Sequence, residues 1–428
     1  MEELTDISEY VVSKSEPRHD SSREHENVIV LQGGGSLGAF FCGVFKVFAK
    51  NYLKIDLIGG TSIGAINGAI IAGSKNNNPA KDLEDFWIEL SESTFNSIQN
   101  NFFFGIKEVN DSNLLNIKNN SLFYDFSELI RTSSAPMTAS LFGVPKMFLP
   151  RWNTLQPFPY LGQDISKNYF RNYSIFHWTY LYDHSPLEKT LKKYIDYDKL
   201  SPKSKNNQNF IRLVITGVNV LNAEPVIFDS AKMQIESKHI LASSGYPVYG
   251  FPWVEVEKGV YVWDGSLLSN TPLREVMESS PRNDKHIFIV ENYPREISCL
   301  PSNLIEVQDR AKDIMFSDKT LHDIRTSRLV TRQIQLIEKL YRQIETNNHN
   351  NTNTYTDTEL KFIKEEYNKL INNYGAEIHC VTNISRNRME SPHVMKNADF
   401  SRKTIQDLIK QGEAKGEQYL QYFRDKHI

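Results

Sequence analysis

The sequence has few cysteines, no long apolar run and no large excess of charge of one sign. Its cysteines, Cys42, Cys299 and Cys380, are too few and too scattered for a disulfide framework or a zinc site. No run of about 18 apolar residues occurs, so no transmembrane helix is predicted and any membrane contact is expected to be peripheral. The net charge of −3 argues against a dedicated nucleic-acid-binding protein.

The N-terminal stretch also lacks an apolar core. Residues 1–26 are polar and charged throughout, which predicts a disordered tail rather than a secretory signal. Together with the scarcity of cysteine, this favours a reducing cytoplasmic location. No metal-ligand spacing is present, so we expect neither a metal nor a cofactor. No pattern indicates an oligomeric state.

Strand and helix patterns alternate at the start of the ordered region. The pattern runs strand, glycine loop, helix, strand, tight turn and helix over residues 27–73. Alternation of this kind predicts an α/β fold with a mainly parallel sheet flanked by helices. Further sheet patterns occur at 210–220 and 224–230, a predicted hairpin, and at 260–273 and 285–291.

The middle of the chain has a different composition. Residues 101–186 hold about twice the fraction of aromatic side chains of the whole chain, which is 11%. We expect an aromatic-rich cap insertion at about residues 101–200, within a domain covering residues 27–292. The cap could line an apolar cleft or form a second small core. Residues 293–428 are predicted to form a helical C-terminal extension that packs on the core, and within it residues 376–384 fit the pattern of a final strand.

A candidate nucleophile occurs where the second predicted strand meets a helix. Residues 60–64 read G-T-S-I-G, which fits the G-x-S-x-G pattern of a nucleophile elbow centred on Ser62. Gly60 and Gly64 would let the backbone pass closely through a sharp turn. The N-terminus of the following helix favours the negative character that an attacking hydroxyl acquires. The alternative is that Ser62 is only a helix N-cap.

A glycine-rich loop, GGGSLG, follows the first strand at residues 33–38. Consecutive glycines expose backbone N–H groups, and such a loop at a helix N-terminus binds negative charge. In one interpretation it is an oxyanion hole, in which the amides of Gly34 and Gly35 stabilise the anion of a tetrahedral intermediate.

The same loop also fits a dinucleotide-binding pattern. Gly33, Gly35 and Gly38 match G-x-G-x-x-G, which requires an acidic residue about 20 positions further on. Asp56 has a suitable spacing, but it opens the second strand and would lie at the wrong edge of the sheet for a ribose. We therefore favour the oxyanion hole.

A third motif, Asp264-Gly265-Ser266, ends the apolar strand VYVW. An aspartate that ends a strand can lie at the same end of the sheet as Ser62 and act with it. The alternative is that Asp264 and Gly265 only form a turn without a functional role. A carboxylate has an ordinary pKa of about 3.9, too low for it to activate a serine hydroxyl well. Burial beside Val262 and Trp263 would raise that pKa.

In this order, the three motifs resemble the patatin-like phospholipase family. The blocks SLGAFFCGVFKVF, GGTSIGAINGAIIAG, LASSGYPVYGFPWVEV and VWDGSLLSNTPL are similar to those of bacterial and archaeal patatin-like proteins. The resemblance covers residues 27–75 and 210–292. It implies a serine acyl hydrolase that cleaves lipid carboxylic esters through an acyl-enzyme, by a Ser–Asp dyad without histidine.

Residue by residue, the resemblance implies Ser62 as the nucleophile and Asp264 as the general base. The implied oxyanion hole is formed by the loop glycines Gly33, Gly34, Gly35 and Gly38. The implied partner is a lipid ester substrate, such as a phospholipid.

Two positions depart from the family's pattern. Its glycine loop often carries Arg or Lys where Leu37 stands, and its aspartate motif usually reads D-G-G or D-G-A where this chain has Ser266. Leu37 removes a cation near the oxyanion, which predicts lower activity or a changed substrate preference. The alternative function is therefore a weakly active or inactive, patatin-shaped lipid-binding protein.

A Ser–His–Asp triad is the rival mechanism. In hydrolases with a nucleophile elbow the histidine follows the acid along the chain. The histidines after Asp264 are His286, His322, His379, His393 and His427. None has the loop and glycine context of a catalytic histidine, so we predict surface or packing roles for them. We predict the same for His177 and His184 in the aromatic segment.

Overall fold

The centre of the fold is a mixed β-sheet with helices on both faces. The structure, a computed structural model, describes residues 9–11, 25–103, 136, 139–151, 178–280, 283–317, 319–349, 356–374, 376, 378–387 and 395–427. Most of the expected cap insertion therefore lies outside the described residues, as do His177 and His393.

The regular elements are numbered in chain order. The strands are β1 (Glu9–Val11), β2 (His25–Leu31), β3 (Leu57–Gly60), β4 (Leu149–Pro150), β5 (Tyr182–Asp183), β6 (Arg212–Asn219), β7 (Pro225–Asp229), β8 (Val254–Glu257), β9 (Val260–Asp264), β10 (Asp284–Glu291) and β11 (Ile378–Ser385). The helices are α1 (Ala39–Lys50), α2 (Ile63–Ala72), α3 (Pro79–Phe103), α4 (Ser185–Tyr194), α5 (Ser237–Ser244), α6 (Leu273–Ser279), α7 (Leu304–Ser317), α8 (Lys319–His349), α9 (Asp357–Tyr374) and α10 (Arg402–His427).

Five parallel strands form the middle of the sheet, in the order β11, β10, β2, β3, β6. Antiparallel strands complete its edges: β1 pairs with β11, while β7 and β9 pair with β6, and β8 pairs with β9. The prediction of an α/β fold with a mainly parallel sheet flanked by helices is confirmed. The predicted hairpin at 210–230 is also confirmed, as β6 and β7.

Two strands meet end to end along one side of β6. Gly60 at the end of β3 pairs with Ile215, and Asp264 at the end of β9 pairs with Gly217. Because β7 occupies the other side of β6 at both levels, β3 and β9 share the same side. β9 runs antiparallel to β6, so its last residue points toward the end of β3. Along β6, only one residue, Thr216, lies between the partners of these two strand ends.

The alternation of side chains along each strand produces two apolar layers. In β2, Ile29 and Leu31 belong to one core, and Val28 and Val30 belong to the other. This is the period of two expected when both faces of a parallel sheet are covered. The larger layer includes α1 and α2, and the smaller one includes α6.

Segments near both ends of the chain contribute strands to the sheet. Residues 9–11 were expected to belong to a disordered tail, but they form β1. The strand pattern at residues 376–384, within the expected helical extension, corresponds to β11, which pairs parallel with β10. The last helix of the chain, α10, packs closely on α1. The two backbones are so near that a Cβ on Gly43 would lie 1.9 Å from the carbonyl oxygen of Ile409. Within the described ranges, no helix is both long enough and apolar enough to cross a membrane.

Candidate active site

Ser62 occupies a strained turn between β3 and α2. Its backbone has φ 56° and ψ −124°, a region that disfavours side chains, and α2 begins at the next residue. Its N–H donates a 3.0 Å hydrogen bond to the carbonyl oxygen of Ser243 in α5, which holds the turn against a neighbouring helix.

The flanking glycines are required by close backbone contacts. A Cβ on Gly60 would lie 2.4 Å from the carbonyl carbon of Gly64, and a Cβ on Gly64 would lie 2.5 Å from the carbonyl oxygen of Leu31. The turn therefore has room for a side chain at Ser62 but for none at these two neighbours. These are the geometric features of a nucleophile elbow.

The glycine loop lies against this turn. A Cβ on Gly33 would be 3.2 Å from the Cβ of Ser62, and a Cβ on Gly38 would be 2.6 Å from Cγ1 of Ile63. The Gly33 N–H donates to the carbonyl oxygen of Asn270 at 3.0 Å. Among the described residues, the N–H groups of Gly34 and Gly35 have no acceptor, so these two amides are available to an anion.

Asp264 is fully buried where β9 ends. Its Oδ1 accepts a 2.8 Å hydrogen bond from the Ser266 N–H. Burial raises the pKa of the Asp264 carboxyl from 3.8 to about 6, although the hydrogen bond from Ser266 and the nearby hydroxyl of Ser62 oppose this shift. A carboxyl with this pKa is a better base than an exposed aspartate and is still ionised at neutral pH.

The approach of Ser62 to Asp264 is looser than a formed hydrogen bond. Within the described part of the chain, Oδ2 of Asp264 is buried and has no partner in hydrogen-bonding geometry. The nearby Ser62 hydroxyl nevertheless lowers the pKa of the carboxyl. In enzymes without bound substrate, the nucleophile and its base are often loosely aligned and come into hydrogen-bonding distance only when substrate binds. The observed geometry is therefore compatible with proton transfer from Ser62 to Asp264.

Ser62, Asp264 and two glycines of the loop, Gly34 and Gly35, line one cavity of about 300 Å³. Part of its lining is apolar and comes from Met147, Phe148, Tyr182, Leu187, Phe251 and Phe400. Phe148 is the centre of this group, with its ring 5.2 Å from those of Tyr182 and Phe251. A second part of the lining is polar and comes from Tyr246, Tyr249, Asn270, Lys312 and Asn397.

A histidine and a lysine in the cavity lining were not predicted as part of the site. His184 precedes α4 and is buried, and burial lowers its pKa to about 4, so its imidazole is neutral. Lys312 lies on α7, in the region expected to be a helical extension. No motif or spacing marks either residue, since only the folding of distant segments brings them to the cavity. Leu37, by contrast, is fully buried in the hydrophobic core.

The other candidate residues lie elsewhere. His286 pairs with Asn27 near the beginning of β2. Ser62 follows the end of the parallel strand β3, so the two residues lie at opposite ends of the strands. His379 is at the same end as His286, with Nε2 3.2 Å from Oδ2 of Asp284. His322 is exposed on α8, and the side chain of His427 is outside the described residues.

The dinucleotide alternative is not supported. Asp56 accepts a 2.9 Å hydrogen bond from the N–H of Asn27, where β2 begins, whereas the glycine loop follows the end of that strand. Its carboxylate is therefore at the wrong edge of the sheet to bind a ribose. As for metals, the described residues contain no group of three or more His, Cys, Asp and Glu side chains that could hold an ion.

Similarity to known proteins was found at the levels of sequence family, individual relatives and solved structures. Residues 29–277, more than half of the chain, match the family described as patatin-like phospholipase. Lysophospholipase nte1 of Aspergillus terreus is 52% identical over 44 residues, which are 10% of this chain and 3% of that protein. Patatin-like phospholipase domain-containing protein 6 of Mus musculus is 29% identical over 102 residues, 22% of this chain and 8% of that protein.

The matched segments thus cover less than a tenth of either relative. Among solved structures, VipD from Legionella pneumophila is similar over 91% of this chain and 67% of its own, with 12% identity and a TM-score of 0.29. At that TM-score the likeness adds nothing to the fold, which is defined by the sheet described above.

Proposed function

The chain belongs to the patatin-like phospholipase family, and from this we propose that it is a serine acyl hydrolase that cleaves carboxylic esters of lipids. The observation that carries the proposal is the meeting of Ser62 and Asp264 at one cavity. Ser62 is presented on a strained turn, and Asp264 is a buried carboxyl whose pKa is raised to about 6. We propose these two residues as the catalytic dyad.

In the first half-reaction, Ser62 becomes acylated. Asp264 accepts the proton of the Ser62 hydroxyl as Oγ attacks the ester carbonyl carbon. The carbonyl oxygen gains the negative charge, and the amides of Gly34 and Gly35 donate to it. The loss of one such donor costs about 3–4 kcal/mol in comparable hydrolases. The tetrahedral intermediate then expels the alcohol, which takes the proton from Asp264, and leaves an acyl group on Ser62.

In the second half-reaction, water releases the acid. Asp264 deprotonates a water molecule, which attacks the acyl-enzyme carbonyl through a second tetrahedral intermediate. Ser62 Oγ is the leaving group and recovers the proton from Asp264. No histidine is needed in either step, because the same carboxylate acts as base and then as acid.

The lining of the cavity supports an ester with a long acyl chain. The aromatic group around Phe148 provides an apolar surface beside Ser62, on which an acyl chain can be bound without exposure to water. A lipid that leaves a membrane to reach this cavity requires only peripheral contact between protein and membrane.

The second candidate function is lipid binding without efficient turnover. Leu37 favours it, because a buried leucine replaces the cation that the family often carries in its glycine loop. The two functions differ in the reactivity of Ser62.

Labelling with a fluorophosphonate probe separates them. We expect the wild-type protein to be labelled and Ser62→Ala to be unlabelled, because the probe phosphonylates only an activated serine. Absence of labelling in folded wild-type protein would leave lipid binding as the function. If the probe labels the wild type, a lipid screen against the Ser62→Ala control should show release of a fatty acid by the wild type alone.

A further inference from the structure

Lys312 is a cation within the cavity whose role the dyad does not explain. It lies on α7, beyond the family-matched residues 29–277. Its Nζ donates a 2.7 Å hydrogen bond to Oδ1 of Asn397 and lies 5.0 Å from the centre of the Tyr249 ring. All three side chains line the same cavity as Ser62. The ammonium group therefore faces the space in which a substrate is proposed to bind.

Asn397 connects Lys312 to the glycine loop. A Cβ on Gly35 would lie 2.2 Å from the carbonyl oxygen of Asn397, so the backbone of Asn397 packs directly on the loop. The side chain of the same residue accepts the hydrogen bond from Lys312. The loop lacks a cation of its own, because Leu37 occupies the position where the family often has Arg or Lys. A distant segment thus places a positive charge near this loop.

The cavity has an apolar group and a cationic group, the pattern that binds an amphiphile. The ring of Phe148 lies among Tyr182, Phe251 and Phe400, whereas Lys312 lies among Tyr249 and Asn397. An acyl chain in contact with the first group would direct the alcohol part of an ester toward the second.

We propose that Lys312 binds an anionic group, a phosphate or carboxylate, on the alcohol side of the lipid ester. This inference rests on the proposed function, because it assumes that the ester carbonyl is held at Ser62. It narrows the substrate class to anionic lipid esters.

The charges around Lys312 are compatible with this role. Lys396 is buried and forms ion pairs with Asp309, at 3.0 Å, and with Asp313. The negative charge of these two carboxylates therefore acts on Lys396 as well as on Lys312. Burial and the nearby Lys396 lower the pKa of Lys312 to about 8, while Asp309 and Asp313 oppose the shift. Lys312 therefore remains mostly protonated at neutral pH, and its partial desolvation strengthens its attraction for an anion.

Binding of two non-hydrolysable analogues tests the proposal. One is a 1-O-alkylglycerol 3-phosphate and the other is the 1-O-alkylglycerol with the same alkyl chain, and their affinities are measured by calorimetry. We expect Lys312→Met to weaken binding of the phosphate analogue about 10- to 100-fold and to leave the neutral analogue within about twofold. Lys312→Arg should retain the preference, and Lys258→Met, in the exposed turn before β9, should behave as wild type.

A second measurement uses pH. Lys312 loses its charge as the pH rises through about 8, so the preference of the wild type for the phosphate analogue should fall. Apart from Lys396, Asp309 and Asp313, the other titratable groups that line this end of the cavity are Asp264 and three tyrosines, Tyr246, Tyr249 and Tyr293. Burial raises the pKa of each tyrosine, that of Tyr249 to about 12. None of these groups titrates near pH 8, and Lys312→Arg should keep its preference across the same range.

Three results would overturn the proposal. Equal losses for both analogues in Lys312→Met would show a structural role, and unchanged affinity for both would show no role in binding. Displacement of the phosphate analogue by inorganic phosphate at equal concentration would show a site for the free ion rather than for a lipid. Because the analogues are not cleaved, these results do not depend on turnover. An unreactive Ser62 with Lys312-dependent binding would refute only the proposed hydrolase.

Discussion

Gly217 and Asp264 face each other in the antiparallel pairing of β6 with β9. β3 ends two levels earlier on the same side of β6, where Gly60 pairs with Ile215. The carboxyl that ends one strand is therefore directed at the turn that follows the other, although the two residues of the proposed dyad are far apart in sequence.

Replacing Asp264 with Asn should abolish turnover and leave the fold intact. Asparagine has nearly the same shape, and its Oδ1 can still accept the hydrogen bond from the Ser266 N–H, but it cannot take a proton. We expect kcat on a fatty-acyl ester to fall at least about 10³-fold. Circular dichroism and thermal unfolding serve as controls, and ester hydrolysis at the wild-type rate in this variant would refute the dyad.

The same substitution should stabilise the protein at neutral pH. A carboxyl whose folded-state pKa is raised from 3.8 to about 6 costs stability wherever it is ionised in both states. This cost is absent below about pH 4 and complete above about pH 6. Asp264→Asn should therefore raise the free energy of unfolding by up to about 3 kcal/mol at pH 8 but not at pH 4.

Denaturant unfolding at the two pH values measures this effect. Asp407→Asn, which removes an exposed carboxylate on α10, is the matched control and should show little change at either pH. A stabilisation of Asp264→Asn that is the same at pH 4 and pH 8 would contradict the buried-charge explanation.

Activity should depend on the ionisation of Asp264. Only the carboxylate can accept the proton of Ser62, so kcat/KM should rise about tenfold per pH unit below about pH 6 and level off above it. A neutral monoacylglycerol is the substrate to use, because its own charge does not change over this range. A profile that instead levels off near pH 4 would indicate that burial does not tune this carboxyl.

At position 62, a residue with a Cβ should give a lower free energy of unfolding than glycine does. The φ of 56° with ψ of −124° at this position is readily adopted by glycine and poorly by residues with a Cβ. We expect Ser62→Gly to have a free energy of unfolding about 1 kcal/mol above that of Ser62→Ala, after allowing for the greater backbone entropy of unfolded glycine. Both variants lack the hydroxyl, so their difference in thermal unfolding reports the backbone strain reduced by this entropy difference. Equal stability would argue against a strained elbow.

No histidine should be essential. His184 is the described histidine that lines the cavity, and it is neutral because burial lowers its pKa to about 4. We expect His184→Phe, His286→Ala and His379→Ala to keep at least about a third of the wild-type kcat, since removal of a catalytic base costs far more. A loss of several hundredfold in His184→Phe, without loss of folding, would point to a histidine base instead of Asp264.

The local features of the fold could be predicted because they depend on neighbouring residues. Side-chain alternation in β2 and the glycines of the Ser62 turn reflect sterics within a few positions of each residue. The end of β9 was likewise recognisable from VYVW followed by Asp264-Gly265. The strand pattern of β11 could also be recognised, but its place beside β10 could not, since it depends on a pairing across about 90 residues of chain.

The order of the residues alone requires a serine between two glycines at the end of a strand, with a glycine loop before it. These requirements are steric and act over a few bonds. The approach of β9 to β3 along one side of β6 depends on the folding of the whole chain, which brings Asp264 near Ser62 and buries it enough to raise its pKa. The same folding brings Lys312 to the cavity, because burial and the meeting of distant segments depend on how the whole chain packs.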